Sequence, residues 1–141
     1  MPVARSGYTL VELLVVVTLI GITLAIAIPR GVRVLDRLSV RAAAGDAASM
    51  LSHARTLALA GHAAVAVHVD AATGTLRVQR GVEVLLTRNI GQAHGVQLGS
   101  TRDSLAFDAW GLGVGAANLS ITLRRGAVAE TVFVSRLGRV R

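Results

Sequence analysis

Hydrophobic residues dominate the start of the chain and later follow two different periodic patterns. Between Leu13 and Ile28 the sequence holds no charged residue, and a bilayer core of about 30 Å needs roughly 20 mostly apolar residues. The run therefore predicts a helix able to span a membrane. Glu12 stands directly before it, where a carboxylate without a partner is unfavourable. Ionisable groups at such positions are usually functional and paired, so Glu12 is a candidate functional residue.

Residues 30–61 show the spacing of a second helical segment. Apolar side chains recur there every three or four residues, which predicts one packed stripe. The stripe contains Leu35, Leu38, Ala42, Met50, Leu51, Ala54, Leu57 and Ala58. Gly61 is a suitable helix end. Together with the apolar run this predicts one helix of about 50 residues, bent at Pro29 because proline removes a helical hydrogen bond.

After Gly61 the pattern changes to an alternation of apolar and polar residues, which is typical of strands. The predicted strands are residues 63–69, 75–80, 82–86, 105–107, 119–123 and 131–134, with a loop and a short strand over 91–99. Asp70 begins the first predicted turn, and Arg124-Arg125-Gly126 form the last one. A long helix packed against antiparallel strands is an α+β arrangement.

The composition limits both the core and the chemistry. The chain of 141 residues has room for one modest domain beyond the N-terminal segment, and only 3% of it is aromatic. A core of Val, Leu, Ala and Ile is expected, with Trp110 filling it. No cysteine is present, which excludes disulfides and thiolate sites. All 15 basic residues are arginines and the net charge is +7; this suits phosphate partners, but genome composition alone can also explain it.

Two ordinary explanations exist for the N-terminal segment. A secretory signal peptide would use Arg5 as its basic flank and Ala25-Ile26-Ala27 as its cleavage site, although its apolar part is usually only about 7–15 residues long. A plain membrane anchor would be oriented by Arg5, with the short N-terminal end inside the cell. Neither explanation accounts for Glu12.

The stretch from Gly7 to Leu14, GYTLVELL, resembles the class III leader junction of type IV pilins and type II secretion pseudopilins. The resemblance implies that a prepilin peptidase cuts after Gly7. It also implies that the new N-terminal residue, here Tyr8 in place of the usual Phe, becomes N-methylated. Pro29 matches a proline that is common in pilin helices.

The same resemblance divides the chain into three parts. They are a cleaved leader (1–7), a transmembrane and filament-core helix (8–29) and a periplasmic head (30–141). The head would contain a helix (30–61), strands within 63–137 and a basic tail (138–141).

The pilin resemblance gives Glu12 a role in filament assembly. After cleavage the Tyr8 amine is positively charged and lies one helical turn from Glu12. Within one chain, or across to a neighbouring subunit, the two charges would neutralise each other where an unpaired charge is costly. The pair would then set the axial register of a subunit that leaves the bilayer. The alternative is that Glu12 only reaches the lipid headgroups.

Interior segments resemble one branch of the family. LSHARTLA over residues 51–58, followed by a hairpin, is similar to general secretion pathway protein H and to FimT minor pilins. FDAWG over residues 107–111, followed by a final strand ending in Gly-Arg, shows the same similarity.

No pattern of catalytic residues is visible in the sequence. His53, His62, His68 and His94 lack the spacing of a metal pair or of a Ser-His-acid site. The glycines over 111–115 lack the Lys and the spacing of a phosphate-binding loop. The sequence therefore predicts a protein that is not an enzyme and has no cofactor, metal or small-molecule substrate.

The C-terminal stretch SRLGRVR is rich in arginine. In an extended tail Arg139 and Arg141 would lie on one side, and Gly138 would allow a turn. The ending resembles the Gly-Arg-x-Arg terminus of FimT-like minor pilins, which implies DNA binding by Arg139 and Arg141, with Arg136 as a helper. Arg124 and Arg125 are candidates to extend this patch. Phosphate contacts of this kind would be independent of DNA sequence and sensitive to salt. The alternative is a solvated basic tail.

The sequence thus predicts a minor pilin or pseudopilin, anchored by a single pass in the bacterial inner membrane with its head in the periplasm. Its expected partners are prepilin peptidase, other pilins or pseudopilins, the membrane and DNA. Two functions remain open at this point, DNA capture by a type IV pilus and protein export by a type II secretion filament. A secreted enzyme with a signal peptide cut near Ala27 is the third alternative.

Overall fold

The computed structural model of the chain describes residues 7–114 and 118–141. The described residues fall into two compact units, with the division between Val34 and Leu35. Most of the expected leader, including Arg5, lies outside the described residues.

Two helices and eight strands are formed in the described part of the chain. In chain order they are α1 (Leu10–Gly61), β1 (Val65–Asp70), β2 (Thr75–Arg80), β3 (Glu83–Asn89), α2 (Ile90–His94), β4 (Gln97–Ser100), β5 (Ser104–Phe107), β6 (Gly113–Val114), β7 (Leu119–Arg125) and β8 (Val128–Val134). The predicted α+β class, with a long N-terminal helix and antiparallel strands, is confirmed.

Helix α1 runs without interruption through Pro29 and ends at Gly61, as the sequence predicts. Its C-terminal end has no basic residue in the last turn. Arg80 on β2 supplies one instead, because its guanidinium donates a hydrogen bond to the Leu57 carbonyl at 3.3 Å. A cation at this end satisfies a free carbonyl and opposes the negative end of the helix dipole.

The strands form two antiparallel sheets. The first has the order β3-β2-β1-β5-β6 and the second has the order β4-β7-β8. The hairpin β1–β2 pairs Val67 with Val78, and β7–β8 pairs Ile121 with Val132. These four side chains are buried, so one face of each sheet contributes to the core.

The core lies between the sheets and the later turns of α1. The helix side chains in it are Val40, Ala43, Ala44, Ala47, Met50, Leu51, Ala54 and Ala58. In the predicted stripe, Met50, Leu51, Ala54 and Ala58 are buried and Leu57 is half-buried. The earlier members Leu35, Leu38 and Ala42 are exposed, contrary to the prediction. Small alanine side chains permit a closer approach of helix backbone to sheet than leucines do, and the contact therefore uses the face that carries them.

Trp110 is not a core residue, contrary to the prediction from the sequence. Its side chain is 77% exposed, whereas Phe107 is fully buried. Asp108 accounts for this arrangement, because its Oδ1 accepts hydrogen bonds from the backbone N–H groups of Trp110 and Leu112, both at 2.9 Å. The resulting turn directs Trp110 away from the core.

The segment after β3 also differs from the prediction. Residues 91–99 were expected to be a loop with one short strand, but the short helix α2 precedes strand β4. Asn89 caps α2 by accepting the Gln92 N–H at 2.7 Å, and Gly95 ends it in the left-handed conformation. Asparagine and glycine are favoured at these two positions.

Arg125 joins three elements of the second unit. Its Nε lies 3.0 Å from Asp36 Oδ1, and its terminal nitrogen donates to Ser39 Oγ at 2.9 Å and to the His94 carbonyl at 3.0 Å. Asp36 and Ser39 belong to α1, and His94 ends α2. One guanidinium thus fixes the β7–β8 turn against both helices.

Candidate functional site

The predicted processing junction lies at the start of α1. Tyr8 is exposed and precedes the helix. The Thr9 hydroxyl accepts the Glu12 N–H at 3.2 Å, and the Thr9 carbonyl accepts the Leu13 N–H at 3.2 Å. Thr9 is therefore the N-terminal cap of the helix, and Glu12 occupies the third helical position.

This arrangement places Glu12 where a side chain can also support the helix start, beside the predicted charge pair. A Thr followed three residues later by Glu is the sequence of a capping box, and a carboxylate in the first turn favours the positive end of the helix dipole. Tyr8 lies before the first helical residue, Leu10, so its separation of one helical turn from Glu12 stays a prediction. The cleavage after Gly7, the methylation of Tyr8 and the pairing of Glu12 stay predictions.

The apolar run in the first unit is long enough to cross a membrane, and its 18-residue apolar window is not buried within the protein. Its polar side chains are satisfied locally. Thr18 donates its hydroxyl hydrogen bond to the Leu14 and Val15 carbonyls, at 3.0 and 2.8 Å, and Thr23 donates to the Leu19 carbonyl. Back-bonding of this kind leaves no threonine hydroxyl without a partner in an apolar medium.

The C-terminal residues are not a free tail. Gly138 N–H donates to the Ser135 carbonyl at 2.9 Å, which closes a tight turn, and Gly138 has φ +69°. Ser135 N–H then donates to the Arg139 carbonyl at 2.9 Å, and Phe133 and Arg141 exchange two backbone hydrogen bonds of 2.8 and 2.9 Å. Residues 139–141, the terminal segment, thus pair with the outer edge of β8.

The pairing places the two predicted DNA-binding arginines on one face. Val140 lies opposite Val134 in the ladder and is partly buried against the core, so Arg139 and Arg141 point the other way. Both are exposed. They line a groove of about 520 Å³ together with Asn118, Ser120, Phe133 and Ser135. The predicted helper Arg136 is also exposed, but it lies in the turn and is not one of the groove-lining residues.

The two interior segments, residues 51–58 and 107–111, meet at the base of this turn. Arg55 of α1 donates its Nε hydrogen bond to the Gly111 carbonyl at 2.9 Å. A Cβ on Gly138 would collide with the Gly111 carbonyl and lie 3.0 Å from Arg55 Nε. Gly113 N–H further donates to the Arg136 carbonyl at 3.0 Å. Arg55 therefore holds the loop from Asp108 to Gly113, and that loop is joined to the C-terminal turn through Gly113.

The sequence pattern did not reveal that Arg55 and Asp108 fix the loop beside the C-terminal turn. The signal available was that segments 51–58 and 107–111 and the Gly-Arg ending occur in one chain. Their spatial convergence depends on the tertiary fold, because residues Arg55 and Gly111 are 56 positions apart.

Arg124 and Arg125 have different positions although they are neighbours. Arg124 is exposed, while Arg125 is bound to Asp36 and is not available as the predicted extension of a phosphate-binding patch. Both lie at the β7–β8 turn, opposite the end at which Leu119 pairs with Val134.

The histidines form no cluster with other metal ligands in the described residues 7–114 and 118–141. His94 Nε2 lies 2.8 Å from Asp46 Oδ2, which also contacts Arg88 at 3.1 Å. His68 Nε2 hydrogen-bonds the Gln79 amide at 2.8 Å, and His53 and His62 are exposed. The contacts of His94 and His68 connect structural elements. Neither contact pairs a histidine with a Ser or Thr nucleophile.

Comparison with known proteins supports the interpretation of the N-terminus. Residues 3–28 match the prokaryotic N-terminal methylation motif. This match covers the predicted junction at Gly7 and Tyr8, Glu12 and the apolar run.

Solved structures identify the fold. A crystal structure of the type IV minor pilin FimU from Pseudomonas aeruginosa aligns with a TM-score of 0.65 at 17% identity, over 75% of this chain and 89% of that one. A second crystal form of FimU gives a TM-score of 0.60 at 16% identity, over 72% and 90% of the two chains. The fold is that of a type IV pilin. No curated protein sequence matches the chain, and the narrower resemblance to general secretion pathway protein H and FimT stays a prediction.

Proposed function

We propose that this type IV pilin-like protein is a minor subunit of a filament assembled at the bacterial inner membrane. The observation that carries the proposal is the presence, in one chain, of an N-terminal methylation motif and a pilin fold. An exposed apolar helix and a compact head with its own core support the same function. The filament is a type IV pilus or a type II secretion pseudopilus.

Maturation is proposed to begin with cleavage between Gly7 and Tyr8 by prepilin peptidase, followed by N-methylation of Tyr8. Intact-mass analysis of the membrane-extracted protein tests this step. The expected mass is that of a chain starting at Tyr8 and carrying one extra methyl group. A Gly7→Ala variant is expected to retain the leader. A chain starting after Ala27 would instead show a signal peptide and overturn the proposal.

The mature helix is proposed to hold the subunit in the inner membrane, with the head in the periplasm. The basic leader residue Arg5 favours a cytoplasmic N-terminus by the positive-inside rule. Protease added to spheroplasts is expected to digest the head. Protease added outside inverted vesicles, which expose the cytoplasmic face of the membrane, is expected to leave the head intact.

Glu12 is proposed to pair with the Tyr8 amine of a neighbouring subunit. Glu12→Gln separates this function from helix capping, since glutamine still fits a capping box but carries no charge. We expect normal cleavage of this variant and a strong loss from sheared filaments. Thr9→Ala, which removes the cap and keeps the charge, is the matched control and is expected to incorporate better. Unchanged incorporation of Glu12→Gln would exclude the charge pair.

DNA capture through Arg139 and Arg141, helped by Arg136, is the proposed activity of the head. The supporting observation is that Arg139 and Arg141 lie on one exposed face of a groove. Contacts to phosphates would place the chain in a DNA-uptake pilus and would be sensitive to salt.

Fluorescence anisotropy with labelled DNA at low and moderate salt tests DNA capture. The Arg139→Ala/Arg141→Ala double variant is expected to bind far more weakly, and the slope of log affinity against log salt should fall by about 2. Arg77→Ala/Arg102→Ala removes the same charge from exposed positions elsewhere and is the control. Equal loss in both variants would indicate a nonspecific charge effect.

The second candidate is a type II secretion pseudopilin related to protein H, with no DNA binding. The FimU-like fold supports a pilin-like subunit without distinguishing the two systems. Absence of DNA binding at low salt would favour this candidate, in which the head contacts other pseudopilins or exported cargo. Neither candidate is an enzyme or needs a cofactor.

A further inference from the structure

The outward face of the second sheet carries an aromatic side chain between polar and basic ones. Phe133 lies in the register of Ser120 on β7 and exchanges backbone hydrogen bonds with Arg141 on its other side. Side chains that are directly opposite in adjacent antiparallel strands share a face, with Cβ atoms about 4.5–5.5 Å apart. Ser120, Phe133 and Arg141 therefore form one row across the sheet.

A second row lies beside the first. Ser135 is paired with Arg139 through the Ser135 N–H bond to the Arg139 carbonyl. Phe133 is 55% exposed and lines the same groove of about 520 Å³ as Arg139 and Arg141.

The charge on this face is positive. In the described part of the groove lining no Asp or Glu occurs. Glu130, the acid of β8, pairs with the buried Leu123 and so alternates to the opposite face. Arg124 shares the face of Ser120, four residues along β7, at a distance of roughly 13 Å. The face thus carries Arg141 next to Phe133 and Arg124 farther along β7.

We propose that Phe133 stacks on an unpaired base while Arg139 and Arg141 hold the adjacent phosphates, so that the surface prefers single-stranded DNA to duplex. This inference rests on the proposed DNA capture and names its substrate class. Duplex DNA offers the same phosphates, but its base faces are already stacked on one another. Only a single strand can present a base to the Phe133 ring, and stacking of this kind tolerates any sequence.

The test uses the full mature chain in nonionic detergent and a fluorescein-labelled oligonucleotide. The oligonucleotide is single-stranded, annealed to its complement, or built as an abasic strand of the same length. Phe133→Leu is expected to weaken single-strand binding by roughly fivefold or more, and to leave duplex and abasic binding unchanged. Phe133→Tyr, which keeps an aromatic ring, is expected to retain the single-strand preference of the parent. Because Phe133 is exposed, both variants should retain the far-UV circular dichroism of the parent.

The outcomes separate this inference from the DNA-capture proposal. In one outcome the parent binds single strands and duplex equally well, Phe133→Leu changes neither affinity, and Arg139→Ala/Arg141→Ala loses both. This outcome would overturn stacking and leave the phosphate-binding proposal intact. An equal loss of all three probes in Phe133→Leu would likewise overturn stacking. No binding of any probe by the parent chain would overturn both proposals.

Discussion

Gly138 adopts a backbone conformation that residues with side chains rarely adopt, and it does so at a crowded point. Its φ is +69°, and a Cβ there would meet the Gly111 carbonyl and the Arg55 side chain. We expect Gly138→Ala to lower the free energy of unfolding by about 1–3 kcal/mol, since strain in the left-handed region is joined by a steric clash. Urea denaturation followed by circular dichroism measures this.

Gly81 provides the matched control for Gly138. It also has a positive φ, +58°, but a Cβ there would meet nothing within 4 Å. Gly81→Ala should therefore cost only the conformational strain and less than Gly138→Ala. Equal costs would show that packing of the C-terminal turn against Gly111 contributes nothing to stability.

The carboxyl group of Asp70 is held by its own turn. The pKa of its carboxyl is held below its ordinary value of 3.8, first by the Thr73 side chain and then by the Thr73 and Ala72 N–H groups and by Arg77. A lowered pKa in the folded state contributes stability above the unfolded pKa, and that stability is lost as the pH falls through the folded pKa.

The resulting prediction is that Asp70, in the β1–β2 turn, contributes to the loss of protein stability in acid. Asp70→Asn keeps the Oδ1 acceptor and removes the ionisation, so its thermal midpoint should fall less steeply than that of the parent as the pH is lowered below about 4. Thermal unfolding by circular dichroism from neutral to acid pH measures this. Parallel acid limbs in the two proteins would contradict the prediction.

Single residues also show where the pattern of the sequence is insufficient. Trp110 is apolar and follows a strand, which favours burial. The carboxylate of Asp108 sets the turn that exposes it, and that side-chain hydrogen bond leaves no periodic signal. Gly138 was recognised as a turn position, but the contact with Gly111 that makes glycine necessary is a tertiary one.

Among the elements, the β7–β8 hairpin depends on one guanidinium for its connection to both helices. Arg125→Met removes the contacts to Asp36, Ser39 and the His94 carbonyl and leaves a carboxylate that is 15% exposed without its partner. We expect a loss of about 1–3 kcal/mol in the free energy of unfolding, which is the usual cost of an unsatisfied polar group.

Arg124→Met is the control for the Arg125 prediction, because Arg124 is adjacent, equally charged and exposed. Its effect should stay within about 0.5 kcal/mol, as for most surface substitutions. Urea denaturation of both variants measures the difference. Similar losses in the two would show that the Asp36–Arg125 pair adds no stability to the hairpin.

Helix α1 illustrates which part of an element a sequence pattern can predict. Its existence, its end at Gly61 and the burial of Met50, Leu51 and Ala54 follow from spacing alone. Spacing does not predict which face of α1 packs on the core before Met50. Leu35 and Leu38 form an apolar stripe as regular as that of Val40 and Ala43. Packing selects the second stripe, where small side chains let the backbones approach.

At the scale of the whole molecule, the candidate site could be predicted only in part. The methylation motif and the arginines of the C-terminus are local features of the sequence. Their support is not, since Arg55, Gly111 and Gly138 come from distant positions and meet only in the folded head. The place of Phe133 between Ser120 and Arg141 likewise depends on the register of β7, β8 and the terminal segment.

The division of the chain into two units predicts how the head behaves without the apolar run. All the buried core residues of the described chain lie at Val40 or later, and the ion pairs of Asp36 and Asp46 belong to the same unit. A fragment that starts at Leu35 contains every one of these groups. It is expected to unfold cooperatively, with a thermal midpoint within about 3 °C of that of the head in the full chain.

A shorter fragment that starts at Gly45 tests whether the first turns of the second unit are needed. It lacks Asp36, Ser39, Val40, Ala43 and Ala44, so Arg125 loses its carboxylate and the sheets lose three buried side chains. The combined cost of about 4 kcal/mol or more is a large part of the stability of a domain this size. This fragment should therefore melt at a much lower temperature or lack a cooperative transition. Equal midpoints for the two fragments would show that the head is held together without residues 35–44.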